Sequence, residues 1–187
     1  MAFLGIKIPS KTGKIISEID VPGDKTNIDE LHITLLYFGK DFSLQDTAKS
    51  IEIINAITTQ TASFTVKTKD VSHFEGHKED KCAVIAKMES EKLHALRAKL
   101  AESFDEHGLE YSKEFKDYKP HTTLSYSEEE PKDFIFSPIE FTVGEITLWG
   151  GSSMDDKIII TFPLSEGAED NNSALLKKID MFDQSSK

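Results

Sequence analysis

LHITLLYFG (31–39) and PHTTLSY (120–126) decide how this chain is read. Each carries the same tetrapeptide pattern: His32-Ile33-Thr34-Leu35 in one, His121-Thr122-Thr123-Leu124 in the other, 89 residues apart in a chain of 187. Both stretches are rich in apolar, β-branched and aromatic residues, which predicts two strands. A strand sends residues i and i+2 to one face. His32 and Thr34 then point together, as do His121 and Thr123. Ile33, Leu35 and Leu124 turn to the core. Thr122 falls on the core side as well and is the weakest point of its strand. Strict alternation gives the histidine face to Leu36 and Ser125, so Tyr37 shares the parity of His32 only if the strand bulges, and Tyr126 has the same problem.

Working outward, FLGIKIP (3–9) reads as a first strand ended by proline. A short helix is predicted over 11–19, then a loop over 22–27. Ser43 and Asp46 resemble a capping box, followed by Leu44, Ala48, Ile51, Ile54 and Thr58 at helical spacing. SFTVKTKDVSHF (63–74) and CAVIAKM (82–88) read as a hairpin around a polar loop, EGHKEDK. Ser90 can cap a helix whose apolar face is Leu93, Leu96, Leu100 and Phe104, stopped at Gly108. FTVGEITLWG (141–150) and KIIITFPL (157–164) read as a last hairpin around GGSSMDD, with SEEEPKD as a loop before it. Strands and helices mingle and many strands are hairpin neighbours, which points to an α+β fold. Each half holds a helix and one His-x-Thr strand. That pattern is a weak internal duplication, with the two strands on either side of a cleft near a pseudo-two-fold axis. Residues 1–165 form the expected domain. Residues 166–187 are an acidic, polar tail in which ALLKKIDMF has the makings of a short helix.

A net charge of −11 argues against long nucleic acid, whose binding needs a basic surface to replace counterions. A small nucleotide remains compatible, since its few charges can be met locally. No apolar run reaches membrane-spanning length, and the start has no basic n-region. The single cysteine, Cys82, excludes an intrachain disulfide and makes the cytoplasm the natural expectation.

Two imidazoles and two hydroxyls, delivered in matched pairs, suit a phosphodiester held between the strands. One histidine can take a proton from water while the other gives one to the leaving oxygen. The threonine hydroxyls can donate to non-bridging oxygens as charge builds. No metal or cofactor is needed. His73, His77 and Cys82 have a spacing that invites a metal reading, but they lack a convincing fourth ligand, and no metal site is expected.

The two motifs, together with FLGIKIP, CAVIAKM and the helix before PHTTL, resemble the 2H phosphoesterase superfamily, near its 2'-5' RNA ligase and cyclic phosphodiesterase branch. The resemblance spans roughly residues 3–164. It implies a bilobal α+β fold, with two antiparallel sheets lining a central cleft and helices outside. It also implies His32, Thr34, His121 and Thr123 as a metal-independent catalytic set. Phe3 matches a position that often carries an aromatic, a candidate for stacking on a base. Lys7, Tyr37, Tyr126 and His73 are further candidate substrate contacts. The expected substrate is a small nucleotide or an RNA terminus: 2',3'-cyclic phosphates, 2'-5' linkages or small cyclic nucleotides, including cyclic signals destroyed in phage–bacteria conflict. The competing expectation is a non-catalytic nucleotide- or RNA-binding module on the same fold. Neither long duplex nucleic acid nor a membrane is an expected partner.

Overall fold

The computed structural model describes residues 2–39, 42–75, 81–114, 117–150 and 158–166. The expected loop around His77, the expected turn after Gly150 and the expected tail from residue 167 lie outside the described residues. The elements run β1 (Ala2–Lys7), α1 (Ser10–Ser17), β2 (Asp24–Lys25), a 3-10 turn (Ile28–Glu30), β3 (His32–Gly39), α2 (Leu44–Thr58), β4 (Phe64–Phe74) and β5 (Cys82–Glu89). They continue with α3 (Glu91–Glu106), β6 (His121–Ser127), β7 (Phe134–Ile135), β8 (Glu140–Val143), β9 (Glu145–Gly150) and β10 (Ile158–Pro163).

The fold is α+β with two antiparallel sheets. One has the order β10-β9-β1-β3. The other has the order β2-β6-β5-β4-β7, with β8 also paired to β4. The two His-x-Thr strands thus belong to different sheets, and β3 lies against β6. One continuous apolar cluster joins Leu4, Ile6 and Ile33 of the first sheet to Val66, Val84 and Ala86 of the second. Ile16, Ile54 and Phe104 bring the three helices into the same cluster. No described helix is long and apolar enough to cross a membrane.

Several local expectations need correction. FTVGEITLWG is not one strand. It breaks at Gly144, so that β8 joins β4 in the second sheet and β9 joins β1 in the first. A continuous apolar pattern hid a crossing between sheets. On α2 the buried stripe is Ser50, Ile53, Ile54, Ile57 and Thr58, while Ala48 is exposed. Two isoleucine stripes compete on this helix, and the one richer in isoleucine wins the core. Ser43 does cap α2, its Oγ accepting from the Asp46 amide at 3.0 Å. Ser90 instead donates its hydroxyl to the Thr65 carbonyl at 2.9 Å, tying the start of α3 to β4. The predicted loop at 22–27 contains the two-residue strand β2, and a further two-residue strand, β7, directly follows the predicted loop SEEEPKD.

Candidate active site

His32, Thr34, His121 and Thr123 are all half-buried, while Ile33, Leu35, Thr122 and Leu124 between and beside them are buried. The period-2 pattern therefore holds through each tetrapeptide. Thr122 sits on the core side with its hydroxyl unpartnered. Both imidazoles are anchored alike. His32 Nδ1 lies 2.6 Å from the Glu30 carbonyl, and His121 Nδ1 lies 2.7 Å from the Lys119 carbonyl. A carbonyl only accepts, so each Nδ1 carries the hydrogen. Nε2, on the far edge of each ring, is the nitrogen through which such an imidazole exchanges a proton.

Past the threonines the alternation breaks, in the same way in both strands. In β3, Thr34 pairs with Gly5 and Leu36 with Leu4, so Leu35 has no partner across the ladder. In β6, Thr123 pairs with Ile85 and Ser125 with Val84, so Leu124 has none. Each leucine is a β-bulge, and an extra residue reverses the parity that follows it. Tyr37 pairs with Phe3, and Phe3 shares a face with Gly5 and Lys7. Tyr126 pairs with Ala83, which shares a face with Ile85 and Lys87. The bulges therefore bring Tyr37 and Tyr126 to the histidine faces, contrary to strict alternation. The signal was legible: both copies read His-x-Thr-Leu-x-Tyr.

Aromatic rings surround each histidine. Phe3 lies 4.7 Å from His32 between ring centroids and stacks on Trp149 at 4.8 Å. Gly5 makes this possible, since a Cβ there would stand 2.6 Å from the Ile33 carbonyl oxygen and 3.3 Å from the Trp149 ring. Across the cleft, Phe74 meets His121 edge-on at 4.9 Å. His73 is not brought to this group. It pairs with Val84, on the face of β4 opposite Phe74, and its nitrogens lie 3.8 Å from Glu130 and Asp133. His73, Glu75 and Glu130 are described residues whose donor atoms converge, within 4.8 Å of one another, closely enough to hold a cation. Cys82 is not among them: its buried thiol donates to the Glu129 carbonyl at 3.4 Å.

The two halves hold each other. Thr26 donates its amide to the Leu124 carbonyl at 2.8 Å, and Ser125 Oγ donates to the Pro22 carbonyl at 2.6 Å. In return, Ser112 donates its amide to the Tyr37 carbonyl at 2.7 Å, and Tyr118 donates its hydroxyl to the Thr34 carbonyl at 3.0 Å. The segment leading into β3 clasps the end of β6, and the segment leading into β6 clasps the end of β3. This reciprocity is what a pseudo-two-fold relation between the two halves calls for.

Residues 14–153 match the 2'-5' RNA ligase superfamily. The chain belongs to that superfamily, within the 2H phosphoesterases. No curated protein matches the chain in sequence. Solved structures do resemble it in fold. TT0787 of Thermus thermophilus aligns with a TM-score of 0.68 at 17% identity, covering 89% of this chain and 98% of its own. A protein described as a phosphoesterase gives 0.69 at 19%, covering 88% and 98%. E. coli LigT in complex with 3'-AMP gives 0.67 at 18%, with the same coverage.

Two features of this 2'-5' RNA ligase superfamily member escaped the sequence reading. Trp149 lies half-buried on the histidine face of the first sheet because it pairs with Phe3. Tyr118 links the approach to β6 with the backbone of the first motif. Burial pushes its phenol well above the ordinary tyrosine value, opposed by the nearby Arg97 guanidinium, which lies 5.4 Å from its ring centroid.

Proposed function

We propose that this protein is a metal-independent phosphodiesterase that hydrolyses 2',3'-cyclic phosphate, 2'-5' or small cyclic nucleotide bonds. The observation that carries this reading is the matched anchoring of His32 and His121, each with Nδ1 bound to a carbonyl two residues earlier. Two identically presented Nε2 atoms on opposite sides of one phosphorus suit in-line displacement. One Nε2 takes a proton from water as its oxygen bonds to phosphorus. The P–O bond to the leaving oxygen breaks, and the other Nε2 delivers a proton to that oxygen. A 2',3'-cyclic phosphate opened this way becomes a phosphomonoester. Thr34 and Thr123 share the histidine faces and donate to the non-bridging oxygens. Both proton transfers are served by imidazole, so the scheme calls on no metal.

Phe3, Tyr37 and Tyr126 supply flat, apolar surface for the nucleoside parts of a substrate. E. coli LigT has been captured with 3'-AMP, NADP+ and ATP, which supports a small nucleotide as the class to test here. The test is turnover of 2',3'-cyclic nucleotides, 2'-5' oligoadenylate and cyclic di- and trinucleotides, with and without EDTA. The His32→Ala/His121→Ala double variant serves as control. Turnover that survives EDTA and vanishes in the control is expected. Tight binding of these compounds with no turnover of any would favour a binding module instead.

A further inference from the structure

The strand register places a lysine opposite each histidine. Lys7 is the ladder partner of His32, and Lys87 is the ladder partner of His121. Directly paired residues project from the same face with Cβ atoms about 4.5–5.5 Å apart. Each lysine's flexible four-carbon stem can therefore bring an ammonium alongside its imidazole. The correspondence extends along both ladders, since Gly5 and Ile85 are the next cleft-facing residues, opposite Thr34 and Thr123. This placement recurs in both halves, so it is part of the duplicated architecture.

The chemistry gives these cations a task. A phosphodiester carries one negative charge, and attack by water raises the charge on its non-bridging oxygens. The chain as a whole repels such an anion, with a net charge of −11. Its sole arginine, Arg97, is engaged elsewhere, its guanidinium 5.7 and 5.4 Å from the ring centroids of Tyr111 and Tyr118. We propose that Lys7 and Lys87 are the cations that hold the substrate phosphate, with unequal duties. This rests on the phosphodiesterase reading and names the charge that completes its site.

The inequality follows from their surroundings. Lys7 is exposed, and among the described residues no carboxylate stands within ion-pair distance of it. It captures the anion from solution and acts in binding. Lys87 is partly buried and is tied to Asp70, Nζ to Oδ1 2.9 Å, with side-chain exposures of 37% and 19%. The ion pair with Asp70 fixes the head group. An ammonium has three donors, and these serve the phosphate. Lys87 acts where charge develops, and Asp70 is its positioning residue.

Steady-state kinetics on whichever substrate is turned over, together with titration of 3'-AMP, test this. Lys7→Met is expected to raise KM and weaken 3'-AMP binding about tenfold, with kcat nearly unchanged and a shallower dependence of binding on salt. Lys87→Met is expected to lower kcat at least about tenfold with a smaller change in KM, and Lys87→Arg to restore most of it. Lys87→Met leaves Asp70 unpaired, so Lys87→Met/Asp70→Asn is the companion variant and should show the same loss of kcat. Asp70→Asn alone should lower kcat and keep KM. Wild-type kinetics in Lys7→Met and in the double variant would overturn the proposal while leaving the phosphodiesterase reading intact. Lysine-dependent 3'-AMP binding without turnover of any substrate would do the reverse. Failure of the wild type to bind 3'-AMP or inorganic phosphate at all also overturns the proposal.

Discussion

The half-site built on β1 and β3 differs from the one built on β5 and β6 in its neighbours and not in its backbone. Both share the carbonyl anchor on Nδ1, the leucine bulge and the lysine across the ladder. Around His32 lie Gly5, Phe3 and Trp149, a flat aromatic floor over a residue with no side chain. The equivalent ladder positions around His121 are Ile85, Ala83 and Phe74, with an ion pair alongside. The difference teaches that main-chain geometry sets the imidazoles, while side chains are free to shape each flank for a different part of a ligand.

If that holds, His32→Ala and His121→Ala should have effects of the same size on hydrolysis. Each should lower kcat/KM by about three powers of ten or more, with the fold intact by circular dichroism. Substantial turnover in one variant alone would break the equivalence. Thr34→Ala and Thr123→Ala should each cost one to three powers of ten, roughly, the range for one transition-state donor. Unchanged rates in both would remove the hydroxyls from the chemistry.

Stability sharpens the contrast between the flanks. Ile85→Ala leaves a void in a fully buried position and should cost about 3 kcal/mol in urea titration. Gly5→Ala acts by the opposite means, forcing a methyl group against the Ile33 carbonyl, and should cost about 2 kcal/mol. A neutral or stabilising Gly5→Ala would show that the aromatic floor does not need the bare backbone. The smallest effect belongs to the clasp. Tyr118→Phe loses the bond to the Thr34 carbonyl, about 1 kcal/mol. The raised folded-state value of this phenol sets the pH dependence. Its contribution is complete below the unfolded value of about 10 and is lost as pH climbs towards the folded value. The loss is about 1.4 kcal/mol per pH unit. Tyr118→Phe should therefore flatten the alkaline fall in stability seen by thermal melts.

The sequence foretold the α+β class, nearly every long element and the parity of the two tetrapeptides, because local patterns encode those features. It left the face of Tyr37 and Tyr126 conditional on a bulge, because a bulge is one residue of register and hydrophobic alternation says nothing of an unpaired leucine. It joined β8 to β9 because the apolar run is continuous across Gly144, while the choice of sheet depends on distant strands. His73 was a candidate substrate contact, yet it sits one position out of phase with Phe74. Lys87 could not be singled out at all, since only the ladder pairing sets it beside His121. The part of the site written in three consecutive letters was legible. The part written across strands was not.

The reciprocal clasp has a kinetic consequence. Its side-chain bonds join residues 84 and 103 positions apart, Tyr118 to Thr34 and Ser125 to Pro22. Closing such loops costs chain entropy before any contact repays it, and folds rich in distant pairings are slow to form. Neither histidine strand can settle on the other until both loops have closed. The hairpin of β4 and β5 and the helices α2 and α3 can form from nearby residues, but the cleft is assembled last. Hydrogen exchange during refolding should therefore protect the amides of β5 before that of Thr26, whose partner is the Leu124 carbonyl.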